Sequence, residues 1–397
     1  MRAVFVHDHH FVVRGHEVYS DKLPYLVWQR YLSQFQEIVV IGRAEKGSLD
    51  HQELPISSGP GVSFQFVESV SNIKALLSGG GKAAIEIESV IRDADIVIAR
   101  LPSELGLLSA RIARRLQKPY IAETVGCAWD ALWNYGSIQG KIYAPLLFAR
   151  MRLAVSAAPY VSYVSQRFLQ TRYPHPRARH VVAVSNVELP ATDDTVLKSR
   201  LVHIATTSEK FIIGLIGSLK TRYKGVDLAI DALARLRTVG IDAELRVLGG
   251  GDPSSYSDLA RTKNVGEYVH FDGLLTDRQS VMTWLDEVDV YIQPSFQEGV
   301  PRALIEAMSR GCPAIGSRCG GIPELLPTEN LIPVGDATQL FKKLRHALAS
   351  SEWRVQGAKQ NIARAQKFDK RTLDAKRSDF LEKVALDIQS RHPRIAK

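Results

Sequence analysis

Short apolar runs separated by longer amphipathic stretches recur along this chain, and that alternation restricts its fold more than any other feature. Strand-length runs flanked by segments of helical apolar spacing build parallel sheets, because parallel neighbours need a long connection that packs back on the sheet. In the first half the predicted strands are Ala3–Val6, Ile38–Ile41, Phe64–Val67, Asp95–Ala99, Pro119–Ala122, Tyr160–Val164 and Val181–Val184. Between them lie helical stretches such as Ser103–Gln117, where Leu105, Leu108, Ile112 and Leu116 recur at helical spacing. A second series runs Phe211–Ile216, Glu244–Leu248, Tyr268–Phe271, Asp289–Gln293 and Pro313–Gly316. The polar, proline-bearing segment Ser185–Asp194 reads as the linker between the two. A chain of 397 residues is also too long for one ordinary core. The expectation is an α/β protein of two doubly wound domains facing one another, 1–188 and 189–371, followed by a terminal helix and a basic tail.

Composition narrows the class. Hydrophobic residues at 45% and charged residues at 23% suit a globular chain. No apolar run reaches the roughly 18 residues that span a bilayer, so no transmembrane helix is expected. The opening MRAVFVHDHH is charged too soon to act as a secretory signal and reads as a first strand entering a polar loop. Cys127, Cys312 and Cys319 lack metal-ligand spacing and argue for a reducing cytoplasm. The net charge of +9 suits a polyanionic partner or an anionic membrane face, and equally a soluble basic enzyme. Nucleic acid is not the expected partner, because the cations are spread out and no nucleic-acid motif appears.

The chemistry gathers in the second half. The loop Gly217-Ser218-Leu219-Lys220-Thr221-Arg222-Tyr223-Lys224-Gly225 joins the strand FIIGLI to the helix VDLAIDALARL. Backbone amides and a helix N-terminus there suit a phosphate, and Lys220, Arg222 and Lys224 suit a leaving diphosphate. The same composition also suits a plain polar turn. Gly249, Gly250 and Gly251 follow another strand, where nucleotides bind in open α/β sheets, although a tight turn needs glycine too. The segment Gln297-Glu298-Gly299-Val300-Pro301-Arg302-Ala303-Leu304-Ile305-Glu306-Ala307-Met308 follows the strand DVYIQPS. Pro301 suits the first helical position, which leaves the amides of Glu298 to Val300 free above the sheet. Glu298 and Glu306 then face one cleft at two depths, one for sugar hydroxyls and one for a ribose diol. Glu306 stands among apolar residues with no adjacent cation, which argues against a mere surface charge. Gly320 and Gly321 form a further strand-end pair.

In the order GSLKTRYKG, LGGGD, VHFDG and PSFQEGVPRALIEAMSRGCPAIGSRCGGIPELL, the second half resembles the retaining glycosyltransferases of family 4. The first half matches mainly in its α/β layout. The resemblance implies the GT-B fold, two Rossmann-like domains across a cleft, with a last helix near 372–397 packing back on the N-terminal domain. It implies a nucleotide-sugar donor, a UDP- or GDP-sugar, bound chiefly by the C-terminal domain and without a metal or other cofactor. Lys224 falls on the lysine that binds the diphosphate, Glu298 on the glutamate near the transferred sugar, and Glu306 on the ribose-binding one. Gly217, Ser218, Arg222, Gly249, Gly250, Gly299, Val300 and Pro301 complete the donor set, and Gly15 is the N-terminal carry-over toward the donor.

Two positions depart from the family. Ser218 stands where an arginine usually follows the first glycine, with Arg222 or Lys220 as substitutes. The stretch Ile121-Ala122-Glu123-Thr124-Val125-Gly126-Cys127-Ala128-Trp129-Asp130 lacks the usual histidine, making Glu123, Trp129 and Asp130 candidate contacts. The His7-Asp8-His9-His10 loop has no complete metal set, and His9 and His10 are candidates for the acceptor. The segment Lys141–Leu153 mixes cations with bulky apolar residues. With Arg111, Arg114, Arg115 and Lys118 it suits an anionic lipid face, unless Leu146, Leu147 and Met151 are core.

The expected reaction is transfer with retention onto a saccharide or polyprenol-linked acceptor, in bacterial surface polysaccharide synthesis at the cytoplasmic side of a membrane. Lys224 would stabilise the leaving diphosphate, and Glu298 would position rather than attack. The alternatives are a sugar-nucleotide epimerase of the same architecture, a non-catalytic polyanion binder and an inactive scaffold.

Overall fold

The computed structural model describes residues 1–45, 54–68, 81–133, 138–190, 193–206 and 210–391. The expected basic tail beyond 391, and residues 191 and 192 of the expected linker, lie outside that set. The chain divides into two compact units. One holds Met1–Trp133, the segment up to Val184 and the stretch from Asp374 onward; the other holds Ser185–Leu373.

The first unit is built on β1 (Arg2–Arg14), β2 (Glu17–Tyr19), β3 (Glu37–Glu45), β4 (Val62–Phe66), β5 (Ile96–Leu101), β6 (Tyr120–Thr124), β7 (Tyr160–Tyr163) and β8 (His180–Ala183). Their order is β4-β3-β1-β5-β6-β7-β8, all parallel, with β2 added antiparallel to β1. One face packs on the helices Gly81–Arg92, Glu104–Arg115 and Ile138–Ser156, burying Ile87, Leu105, Ile112 and Met151. The other face joins Phe5, Phe11 and Trp28 to Phe380, Leu381, Val384 and Ile388 of the last helix, Lys370–Arg391. Each such large side chain contributes roughly 1.5–3 kcal/mol on burial. Asp387 pins that helix by accepting from Tyr160 Oη at 2.7 Å and Arg179 at 2.6 Å. These bonds, with Arg391, hold its carboxyl well below the usual range despite burial, which acts the other way.

The second unit holds β9 (Phe211–Ile216), β10 (Ala243–Leu248), β11 (Val269–Gly273), β12 (Val290–Gln293), β13 (Ala314–Ser317) and β14 (Leu331–Ile332). The order is β11-β10-β9-β12-β13-β14, parallel throughout. Val226, Leu233, Leu340 and Leu344 cover one face, and Trp284, Leu304, Met308 and Leu325 the other. In each sheet the strand order reverses beside the first strand, at β1/β5 and at β9/β12. Crevices outside the carboxyl ends of strands at such points bind ligands in open α/β sheets.

The expectations hold for every predicted strand but the first to within a few residues, and three details differ. His7–His10 is not a loop: β1 continues through it to Arg14, and the pairing with β3 shifts between Val6 and His10 to absorb the polar residues. The short strands β2 and β14 carry too little apolar sequence to stand out. The helix from Glu104 begins one residue after its expected start, with Ser103 as N-cap accepting from Gly106 N–H, a bond worth about 1 kcal/mol. No described helix is long and apolar enough to cross a membrane.

Candidate functional site

Four loops meet at the carboxyl end of the second sheet, after β9, β10, β12 and β13, and they are bonded to one another. Gly217 N–H donates to Leu248 O, Leu219 N–H to Gly250 O, Phe296 N–H to Tyr223 O and Gly321 N–H to Gly299 O, all between 2.7 and 3.0 Å. Glycine is required where they touch. A Cβ on Gly320, whose φ is +53°, would stand 1.9 Å from Glu298 O, and one on Gly225, at φ +73°, 2.2 Å from Pro294 O. Gly249 likewise has Gly217 O 2.1 Å from where its Cβ would be, whereas nothing comes closer than 3.9 Å at Gly250. Gly249 is thus occupied by contact between loops, and Gly250 keeps open space.

Glu298 stands at the centre. Its Oε1 accepts from Lys224 Nζ at 2.7 Å, Ser295 Oγ at 2.8 Å and Gln293 Nε2 at 2.9 Å, and its side chain is 8% exposed. Gln293 is fixed in turn, because its Oε1 accepts from Tyr291 Oη at 2.8 Å. A carboxylate so enclosed is oriented before any ligand arrives. The two residues assigned to separate parts of a donor, Lys224 and Glu298, are therefore each other's partner. Sequence reasoning missed Gln293 and Ser295; a polar residue closing the apolar strand Val290–Gln293 was the available signal.

Glu306 differs. It lies on the helix Arg302–Ser309, and no described residue makes a hydrogen bond or ion pair with its carboxylate. Burial raises its pKa, opposed by Arg302 and Arg278. Arg302 lies one turn earlier on the same helix, beyond the apolar residues that flank Glu306 in sequence. Pro301 is the N-cap rather than the first helical residue; its φ of −71° suits the ring, and its ψ of 115° is still extended. The N–H groups of Ser218, Gly250, Gly299 and Val300 have no partner among the described residues. Lys220 and Arg222 are exposed with no ion-pair partner there, and Ser218 Oγ sits 3.4 Å from Gly250 O.

Of the first-unit candidates, Glu123, Asp130, Trp129 and His9 are engaged by side-chain neighbours in that unit, while among the described residues His10 and Gly15 are not. Glu123 accepts from Arg100 at 2.8 Å and Tyr31 Oη at 3.0 Å and is buried. Asp130 pairs with Arg172 at 2.9 Å. Trp129 stacks on Trp133 with centroids 5.1 Å apart and meets Phe148 edge-on. His9 Nε2 lies 2.6 Å from Ser20 Oγ, and His10 is exposed. Gly15, φ +60°, makes the β1–β2 turn with nothing near its Cβ position. Asp8, not singled out as a candidate, accepts from Ser103 Oγ and from Glu104 and Leu105 N–H, and pairs with Arg43 at 2.5 Å. His7 has its pKa lowered to about 3 by burial and then by Arg100, His9, Lys22 and Arg43. Among the described residues no group of three or more His, Cys, Asp or Glu is placed to hold a metal.

Residues 210–350 match the family model described as Glycosyl transferases group 1. Protein CapJ of Staphylococcus aureus is 31% identical over 362 residues, covering 91% of this chain and 90% of that one. Lipopolysaccharide glucosyltransferase WaaG of Escherichia coli K12 is 29% identical over 163 residues, 40% of this chain and 43% of that one. Among solved structures, Anabaena Alr3699/HepE in complex with UDP superposes with a TM-score of 0.66 over 96% of this chain and all of that one, at 17% identity. The matched residues include the four-loop rim around Glu298, and the chain belongs to the group 1 glycosyltransferases.

Proposed function

We propose that this glycosyltransferase takes its sugar from a nucleoside diphosphate, UDP or GDP, and transfers it with retention and without a metal onto a saccharide or polyprenol-linked acceptor of a bacterial surface polysaccharide. The observation that carries the reading is the contrast at one strand-end rim between a glutamate held by three donors on one oxygen and an unpartnered one. Glu306, acceptor-only when ionised, offers both oxygens to a ribose diol. The open amides of Ser218, Gly250, Gly299 and Val300, with Lys220 and Arg222, offer donors to a diphosphate. The UDP held by the similar HepE structure and the lipopolysaccharide substrate in WaaG's name support the same direction.

In the step itself the bond from the anomeric carbon to the diphosphate oxygen breaks, and one forms from that carbon to the acceptor oxygen. The acceptor proton passes to the departing diphosphate. Lys224 already holds a carboxylate oxygen 2.7 Å away, so it can share its three N–H donors between Glu298 and the leaving oxygen as charge develops. Glu298, with one oxygen saturated, orients sugar hydroxyls with the other. The test is proton NMR of the product formed from UDP- and GDP-sugars in EDTA. A product with the donor's anomeric configuration supports the reading; an inverted product, or activity that EDTA abolishes, overturns it.

A further inference from the structure

The helix Ile138–Ser156 is apolar on two sides. Ala144, Leu147, Met151, Ala154 and Val155 are buried against the first unit's core. On the opposite side Ile138 is 77% exposed, Ile142 75%, Leu146 54% and Leu153 60%. At 100° per residue these four fall within one narrow arc; exposed Ala149 lies in it and exposed Pro145 just beside it. Every other described helix with an exposed large apolar side chain shows only one. Leu147 and Met151 are therefore core, as one of the two readings of this segment expected, but Leu146 is not.

Charge says what covers this face. The helix IQGKIYAPLLFARMRLAVS contains no acidic residue. Lys141 and Arg152, both exposed, lie together along one edge of the arc, and Arg150 lies near the other, paired with Glu104. Lys141 also sits 5.9 Å over the ring of Trp133, itself 43% exposed just before the helix. Two copies laid face to face would set these cations against a helix with no acid to answer them. An anionic lipid surface answers the cations with headgroups and the arc with acyl chains. Pro145 fits as well, since the carbonyl it frees four residues earlier is met by water or headgroups on the exposed side. The cations expected to share this role on the neighbouring helix are partly spent: Arg115 pairs with Glu88, and Lys118 Nζ caps Ala94 O at 2.7 Å.

We propose that the helix Ile138–Ser156 docks this enzyme on an anionic membrane, lying in the interfacial plane with Ile138, Ile142, Leu146 and Leu153 inserted and Lys141 and Arg152 at the headgroups. This deepens the lipid-linked part of the acceptor reading, and its test reads binding rather than transfer, so the two fail separately.

The full chain is sedimented with phosphatidylcholine vesicles and with phosphatidylglycerol-rich ones, at low and high salt. Binding is expected to the anionic vesicles and to weaken with salt. The Ile142→Glu/Leu146→Glu variant is expected to lower the partition coefficient about tenfold or more, and Lys141→Glu/Arg152→Glu to abolish the lipid preference. All four sites are exposed, so unchanged melting temperature and nucleotide affinity serve as the folding control. Equal vesicle binding by wild type and Ile142→Glu/Leu146→Glu overturns the proposal. So does wild type that ignores vesicles, including the case where it self-associates and the variant is monomeric, which would make the face a contact between copies.

Discussion

The strand-end rims of the two sheets hold similar residues in opposite states. At the first, Asp8 caps a helix and pairs with Arg43, Glu123 is held by Arg100 and Tyr31, Glu104 by Arg150 and Tyr143, and Asp130 by Arg172. At the second, Glu298 is answered by Lys224, Ser295 and Gln293, while among the described residues Glu306, two cations and several amides have no partner. A desolvated carboxylate without a partner is costly, so a rim that keeps one is built for a ligand. The four carboxylates named at the first rim are committed to neighbours within their own unit and hold its shape.

The largest effect expected from this contrast is on catalysis at Glu298. Glu298→Gln removes the charge that answers Lys224, and turnover should fall about 10²–10³-fold, as when a positioned electrostatic group is lost. Chemical denaturation should also show a loss of about 3 kcal/mol from a broken, largely buried pair. Undiminished turnover would reduce Glu298 to a structural counter-ion. At the first rim, Glu123→Gln should cost about 2–3 kcal/mol of stability, since Arg100 loses a buried charge partner. Nucleotide affinity should be untouched, and a weakened affinity there would break the division between the rims.

Glu306→Gln should be neutral or slightly stabilising, because it removes a desolvated charge, yet weaken nucleotide binding about tenfold or more. Since burial raises the pKa of Glu306, acidification should weaken nucleotide binding at a higher pH than an ordinary glutamate would, and the Gln variant should lose that dependence. Titrations of both proteins from neutral to mildly acidic pH check this. Gly249→Ala should lower the melting temperature sharply and Gly250→Ala barely, given clearances of 2.1 Å and 3.9 Å at the two Cβ positions.

A separate effect, on stability alone, concerns His7. Its folded pKa, about 3, lies below the ordinary 6.5, so the unfolded chain takes up the proton first. Its contribution is complete above pH 6.5 and drains away as pH falls toward 3, by at most about 1.4 kcal/mol per pH unit. Stability measured between pH 7 and 5 should fall less steeply in His7→Asn than in wild type; parallel slopes would contradict this.

The strands were legible because those of parallel sheets are buried on both faces and read as continuous apolar runs. β1 escaped past Val6 because His7, Asp8 and His9 break its run, and only the register shift against β3 accommodates them. β14, a two-residue strand, has no periodicity to read. At the site, Lys224 and Glu298 were legible as residue types beside strand ends. Their bond, across 74 positions, was not, since it depends on β9 and β12 lying side by side. Gln293 and Ser295 belong to the same contact and were hidden with it. Similarly, Leu146 and Leu147 are adjacent and chemically alike, and only packing separates the exposed one from the buried one.

The most direct test of the central claim is calorimetric titration of UDP and GDP into wild type, Glu306→Ala and Glu123→Gln. One nucleotide should bind wild type and Glu123→Gln alike, and Glu306→Ala at least about tenfold more weakly. Equal affinity in all three, or a loss confined to Glu123→Gln, would contradict the assignment of the open rim to the donor.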